Sequence, residues 1–207
     1  MANQPQKPPK RKPGRPKLDE TKQTMHLILQ TAARLFMSQG YEKVSLESVA
    51  SACQITKASV YYYFQNKSEL FTQCVVTVLS FANAQTQKIL NDEGTIQQKL
   101  KLAAIGRMRN AEVEFETMMR EASPHLSAEQ IALIRKTEEA IYESIAAALS
   151  KAIEDGEIRP CNPILVTHLY TSMLMIRNRK HFMDIVETTE EAANEIVELI
   201  FRGLRLE

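Results

Sequence analysis

The sequence predicts an all-α fold: a group of three short helices near the N-terminus, two of them joined by a tight turn, followed by a bundle of longer helices. Three observations predict it. Apolar residues recur at spacings of three and four throughout, with no alternating strand pattern in competition. Residues that cap helices stand where each apolar run begins. The composition agrees, since 44% of the 207 residues are hydrophobic and only 6 are Gly, as in helix-rich globular chains.

The elements follow in order. Residues 1–18 hold five of the eight prolines and six of the Lys+Arg with few apolar side chains, so a basic arm, disordered on its own, is expected there. Within it Gly14-Arg15-Pro16 sits among basic residues. That is similar to a minor-groove hook, whose Arg reads the width and potential of A·T tracts; a non-specific basic tail is the alternative. From Asp19 the pattern turns helical, with Ile28, Ala32, Leu35 and Phe36 on one face and Gly40 placed as a C-cap. Ser45 caps a second helix carrying Leu46, Val49, Ala50 and Cys53, and after Gln54-Ile55 Thr56 caps a third with Val60 and Phe64 inward. Asn66 caps a fourth, with Glu69 three residues on in a capping-box arrangement. Longer helices are then expected at about 67–91, 95–121, 128–154, 164–186 and 189–204, separated by Gly94, Ser123-Pro124, Asp155-Gly156, and Pro160 with Pro163. Three units result: a basic arm at 1–18, a helix-turn-helix domain at 19–66 and a helical domain at 67–207.

Charge divides the chain in the same place. Residues 1–67 carry 11 Lys+Arg against 4 Asp+Glu, a net +7, and residues 68–207 carry 15 against 21, a net −6. A basic first third on an acidic remainder fits a polyanion partner for the first third alone, or a solvated basic tail on a neutral domain. No stretch approaches the roughly 20 apolar residues of a membrane span, and the basic, Pro-rich start has no apolar core of a secretory signal. Cys53, Cys74 and Cys161 are odd in number and scattered, as free thiols in a reducing compartment are. A cytoplasmic protein without membrane contact is expected. No phosphate loop, nucleophile elbow or metal-ligand spacing occurs, and His26, His125, His168 and His181 stand apart from one another. No catalytic residue, metal or cofactor is expected, and the chain is not read as an enzyme.

The third helix carries the function. Tyr61, Tyr62 and Tyr63 are consecutive, so at 100° per residue they fan across about 200° of its surface. With Val60 and Phe64 inward, at least Tyr62 and Tyr63 should be exposed. Exposed phenols beside Lys57 and Ser59 suit hydrogen bonds to phosphate and apolar contact with thymine methyl groups. In a helix-turn-helix the second helix of the pair enters the major groove.

The runs Gly40-Tyr41-Glu42-Lys43-Val44-Ser45-Leu46-Glu47-Ser48-Val49-Ala50, Ile55-Thr56-Lys57-Ala58-Ser59-Val60-Tyr61-Tyr62-Tyr63-Phe64 and Asn66-Lys67-Ser68-Glu69-Leu70 resemble the TetR family of bacterial one-component repressors over about 50 residues. The resemblance implies an N-terminal DNA-binding domain, a C-terminal ligand-binding and dimerisation domain, a palindromic operator and release by a small molecule. It implies that Ser45 caps the second helix close to a phosphate and that Thr56, Lys57, Ala58 and Ser59 open the recognition helix towards the bases. Tyr62 should lie against the DNA backbone, supported by Tyr61, with Tyr63 at the groove. Lys67 should pair with a phosphate at the start of the fourth helix, whose N-terminal dipole assists. Ala58 stands where many members have Gly, which adds a methyl at closest approach.

For the sensor half, Phe81, Met108, Phe115, Tyr142 and Met175 are candidates to line a site for a lipophilic effector, although Met fills ordinary cores equally well. Met118, Met119 and Met173 share that ambiguity. His168, Arg177 and Asn178 interrupt an apolar helix and are candidate polar contacts, and Gly106 inside a helix is a candidate kink. On the last helix Val197, Ile200, Phe201 and Leu204 belong to an apolar surface wider than one stripe, which a twofold mate can cover. A homodimeric, DNA-binding repressor is therefore expected; a nucleoid-associated or architectural DNA-binding protein without an inducer is the alternative.

Overall fold

The computed structural model describes residues 18–109, 115–179 and 181–204; the arm with Arg15 lies outside them. Among the described residues nine α-helices follow one another without a strand: α1 (Leu18–Gln39), α2 (Leu46–Ala52), α3 (Lys57–Tyr63), α4 (Lys67–Leu90), α5 (Ile96–Arg109), α6 (Phe115–Ala122), α7 (Ala128–Glu154), α8 (Pro163–Leu174) and α9 (Thr189–Arg202). None of them is long and apolar enough to cross a membrane.

The short helices start where a side chain can satisfy free N–H groups. The Ser45 hydroxyl accepts from the Ser48 N–H at 3.1 Å and the Ser48 hydroxyl from the Ser45 N–H at 3.0 Å. The Thr56 hydroxyl accepts from the Ser59 N–H at 3.1 Å, and Asn66 Oδ1 from the Glu69 N–H at 2.8 Å. Each such cap contributes about 1 kcal/mol. The return arm from Glu69 reaches one residue further than expected, accepting from the Gln65 N–H at 2.9 Å rather than from Asn66. α1 ends at Gly40, whose φ of +81° favours glycine.

Two apolar cores organise the chain. The first joins Ile28, Phe36, Val49, Val60, Phe64, Leu70 and Phe71 to Met118, Met119, Ala122 and Ile134. Helices α1–α3 therefore close their core with the first half of α4, with α6 and Leu126 after it, and with Ile134 of α7. At its centre the Phe71 ring meets Phe36 and Tyr41 edge-on, at centroid distances of 5.1 and 4.9 Å. The second core joins Leu100, Ala104, Met108, Ile141, Leu149, Tyr170, Leu174, Val197 and Phe201.

Two expected helices are divided. In place of one helix at 95–121 the structure has α5 and α6 on either side of residues 110–114. The buried residues of α5 serve the second core and those of α6 the first, so one straight rod does not reach both. A Cβ built at Gly106 meets nothing within 4 Å, so no close approach accounts for that glycine. In place of one helix at 164–186, α8 ends at Leu174 and 3₁₀ turns follow at Met175–Asn178 and Phe182–Asp184. The chain turns to bring Phe182 into the core that already holds Leu174.

Candidate nucleic-acid interface

α3 presents one face outward on a rigid scaffold. Val60 and Phe64 are fully buried and fix its inner side. Thr56, Lys57 and Ala58 are exposed and Ser59 half-buried, and the Thr56 and Ser59 hydroxyls lie 2.8 Å apart. Tyr62 is 76% exposed and Tyr61 43%. Tyr63 departs from expectation: it packs against the first core as a half-buried residue. It is Tyr63, not Tyr61, that supports Tyr62, with their rings edge-on at 5.0 Å. The Tyr61 hydroxyl turns instead to Glu47 Oε1, at 3.4 Å.

Lys57 is held. Its ammonium pairs with the Glu47 carboxylate on α2 and lies 5.4 Å from the centroid of the Tyr61 ring. The hydrogen bond from Lys57, then one from a backbone N–H, lowers the Glu47 carboxyl to about 2, and the Lys57 ammonium is raised in turn. Glu47 was not among the residues singled out from sequence; its charge, ten residues from Lys57, carries no local periodic signal.

Lys67 is also engaged. Its ammonium donates to the Glu42 carbonyl oxygen at 3.1 Å and sits 4.2 Å from the centroid of the Tyr41 ring. Partial burial lowers its pKa, against the opposing charge of Glu42. The loop after α1 that Lys67 grips is gripped from the other side as well. The Tyr41 N–H donates to Glu121 Oε2 at 3.1 Å, the His125 ring stacks on Tyr41 at 5.4 Å, and His125 Nε2 is 2.9 Å from Glu42 Oε1. Glu121 lies in the last turn of α6 and His125 follows that helix, so the C-terminal half holds the loop before α2 through side chains some 80 residues away in sequence.

Residues 28–74 match the family model for bacterial regulatory proteins of the tetR family. The HTH-type transcriptional regulator YhgD of Bacillus subtilis (strain 168), itself uncharacterised, is 25% identical over 162 residues, which are 75% of this chain and 84% of that one. Among solved structures, AibR in complex with isovaleryl coenzyme A and operator DNA is 26% identical, with a TM-score of 0.64 over 86% of this chain and 98% of that one. The TetR family regulator PfmR from Thermus thermophilus is 25% identical, with a TM-score of 0.68 over 87% and 98%.

Over residues 28–74, which hold α2 and α3, the chain is similar to the tetR family of bacterial regulatory proteins. The residues expected to line an effector site are not gathered in one place. Phe81 is 65% exposed on α4, Met108 is fully buried in the second core, and Phe115 packs on the first core under the Arg135 guanidinium at 5.5 Å. Met118 and Met119 also belong to the first core. Met175 and Arg177 lie in the 3₁₀ turn after α8 rather than on it, with the Arg177 guanidinium 5.5 Å from the Phe182 ring. The structure does bring Tyr142 of α7 and His168 of α8 together, stacked at 5.1 Å. Burial and then Glu138 raise the Tyr142 phenol, while Arg107 and a hydrogen bond with Thr171 oppose them. Arg107 and Thr171 were missed from sequence. A groove of about 870 Å³ runs elsewhere, between α4 and α7 past Asn83, Gln87, Ser144 and Lys151.

The expected interface residues on α9 are corrected. Val197, Phe201 and Leu204 are buried in the protomer's own second core, and Ile200 is half-buried against it. α5 and α8 cover the wide apolar surface of α9 from two sides, which removes the need for a mate at those positions. The large apolar side chains that α8 and α9 leave exposed are Ile164, Leu165 and Leu169 on α8 and Leu199 on α9.

Proposed function

We propose that this chain is a sequence-specific DNA-binding transcriptional regulator, a cytoplasmic repressor that binds a palindromic operator as a homodimer and leaves it when a lipophilic small molecule binds. The observation that carries the reading is the outward face of α3: Thr56, Lys57, Ala58 and Tyr62 are exposed on a helix whose other side, Val60 and Phe64, is locked in the core. In this reading Ser45 and Tyr62, backed by Tyr63, contact the DNA backbone. Thr56, Lys57, Ala58 and Ser59 meet base edges, and Tyr61 flanks them. Lys67 approaches a phosphate from its seat on Tyr41, and Arg15 adds a minor-groove contact. The chain then divides into an arm (1–18), a reading domain (19–66) and a regulatory and dimerisation domain (67–207).

The uncovered Ile164, Leu165, Leu169 and Leu199 support a twofold mate over α8 and α9, which sets the two recognition helices about one turn of DNA apart. AibR, solved with isovaleryl coenzyme A and operator DNA, supports a coenzyme A thioester as the class of effector. The stacked Tyr142–His168 pair beside Arg107 and Thr171 supplies polar groups for such a ligand. Ligand-driven movement at α6 reaches the DNA surface through Glu121 and His125, which hold the 40–42 loop.

Filter-binding titrations test this, with duplexes enriched by the protein from a randomised pool set against the unselected pool at several KCl concentrations. Enriched duplexes should bind at least about 10³-fold tighter at physiological salt. Equal affinity for both would sink the specific-regulator reading and favour a non-specific architectural role. Isovaleryl coenzyme A should raise the thermal midpoint and weaken the operator complex; no effect of any acyl chain length on either would remove that class of effector.

A further inference from the structure

α2 and α3 meet at a cluster of exposed side chains that attraction to DNA does not by itself require. Glu47 stands in the first turn of α2, Lys57 opens α3, and Tyr61 lies one turn further on. Lys57 and Tyr61, four residues apart, share one helix face. Both converge on Glu47: the ammonium pairs with the carboxylate, and the Tyr61 hydroxyl donates to Oε1 at 3.4 Å. All three side chains face solvent beside the exposed Thr56 and Ala58. A carboxylate on a surface that approaches a polyanion costs affinity for every sequence alike, so its presence there needs a reason.

We propose that Glu47 is a specificity-determining residue: fixed on α2, it holds Lys57 at the start of the recognition helix as a reader of base edges and withholds it from the phosphates. The inference rests on the DNA-binding reading above. An ammonium carries three donors and Glu47 engages one side of it, leaving the others to point outward. A phosphate gains little from a lysine whose charge is already compensated, and Glu47 repels it. A guanine edge offers the acceptors N7 and O6 without net charge, so Lys57 can donate to it and keep Glu47. The cost therefore falls on contacts that carry no sequence information and spares the one that does, which raises discrimination while lowering raw affinity. The ring of Tyr61 under the ammonium narrows its remaining freedom. Glu47, lowered to about 2 by the hydrogen bond from Lys57 and then by a backbone N–H, stays ionised at any pH used for binding.

The test uses the full-length protein as wild type, Glu47→Gln, Glu47→Asp, Lys57→Met and the Glu47→Gln/Lys57→Met double variant. The probes are a random-sequence duplex pool and the duplex that the wild type enriches most strongly from it. Fluorescence anisotropy over a KCl series gives affinity and salt slope for each. Glu47→Gln should bind the random pool roughly five-fold tighter, with a salt slope steeper by about 0.9 as one more phosphate is neutralised. Its ratio of enriched to random affinity should fall about ten-fold, the discrimination of one good base contact. Glu47→Asp keeps the charge and should stay near the wild-type slope. In the Lys57→Met background, Glu47→Gln should leave the ratio unchanged.

Three outcomes overturn the inference. One is a Glu47→Gln ratio and slope equal to wild type. A second is an equal loss of affinity for both probes, as a purely structural contact gives. The third is the same loss of ratio with Lys57 absent. A wild type that enriches nothing from the pool is a separate result and overturns the DNA-binding reading together with this inference.

Discussion

Replacing Gly40 by Ala should destabilise the protein by about 3 kcal/mol, and the structure separates that figure into two parts. The first is backbone: Gly40 has φ +81°, a conformation that costs a residue with a Cβ about 1 kcal/mol or somewhat more. The second is a collision. The new Cβ falls 2.7 Å from Glu121 Oε2, the oxygen that accepts the Tyr41 N–H. The carboxylate is the end of a flexible side chain and can swing away, but it then releases a part-buried N–H. Losing a hydrogen bond to a charged acceptor costs roughly 1.5–3 kcal/mol. At about 2–4 °C per kcal/mol for a chain of this size, the midpoint should fall by about 9 °C at fixed protein concentration. Gly156 supplies the control, since its φ is +69° but its Cβ position is open; Gly156→Ala should show only the backbone part, about 3 °C. In a Glu121→Ala background Gly40→Ala should likewise cost only about 1 kcal/mol, which gives a coupling of about 2 kcal/mol in the double-mutant cycle. Scanning calorimetry on these variants measures it. Equal losses at Gly40 and Gly156, or additive effects of Gly40→Ala and Glu121→Ala, would refute the claim that α6 grips this loop.

Other residues give independent checks. Tyr62→Ala removes a side chain that is 76% exposed, so stability should change by less than about 0.5 kcal/mol. Affinity for an enriched duplex should fall about ten-fold, at the scale of one lost backbone contact; a loss of stability without a loss of binding would contradict the assignment. Leu169→Asp places a charge among the uncovered apolar residues of α8, and sedimentation equilibrium should show dimer dissociation raised at least about 100-fold; an unchanged dimer would move the interface elsewhere. Burial pushes the Cys74 thiol up to about 12, and Cys161 is partly accessible. A thiol reagent at a pH of about 8 should label Cys161 in the native protein and Cys74 only after unfolding, and early labelling of Cys74 would contradict the first core.

What the sequence made legible is what short-range chemistry decides. Ser45, Thr56 and Asn66 each cap through a bond to a residue three positions on, so one local window contains the whole interaction. Val60 and Phe64, four apart, were placed inward by periodicity and are fully buried. The misplaced residues depend on what covers a helix from outside. Tyr61 and Tyr63 exchange their expected surroundings because the first core lies on Tyr63's flank, which no spacing within α3 records. Val197, Phe201 and Leu204 formed a stripe too wide for one partner, and α5 and α8 turn out to be two partners within the same chain. The Glu47–Lys57 pair and the Glu121 grip on Tyr41 span ten and 80 residues. Such pairs exist only once the fold has brought their helices together.

Amide hydrogen exchange of the full-length protein, with and without a duplex enriched from a random pool, tests the DNA surface most directly. Saturating duplex should slow exchange in residues 45–67, most strongly at the α2–α3 turn and the start of α3, while the α7 amides beside the 870 Å³ groove keep their rates. Protection confined to α4–α9, with residues 45–67 unchanged in a saturated complex, would contradict the assignment of α3 as the helix that reads DNA.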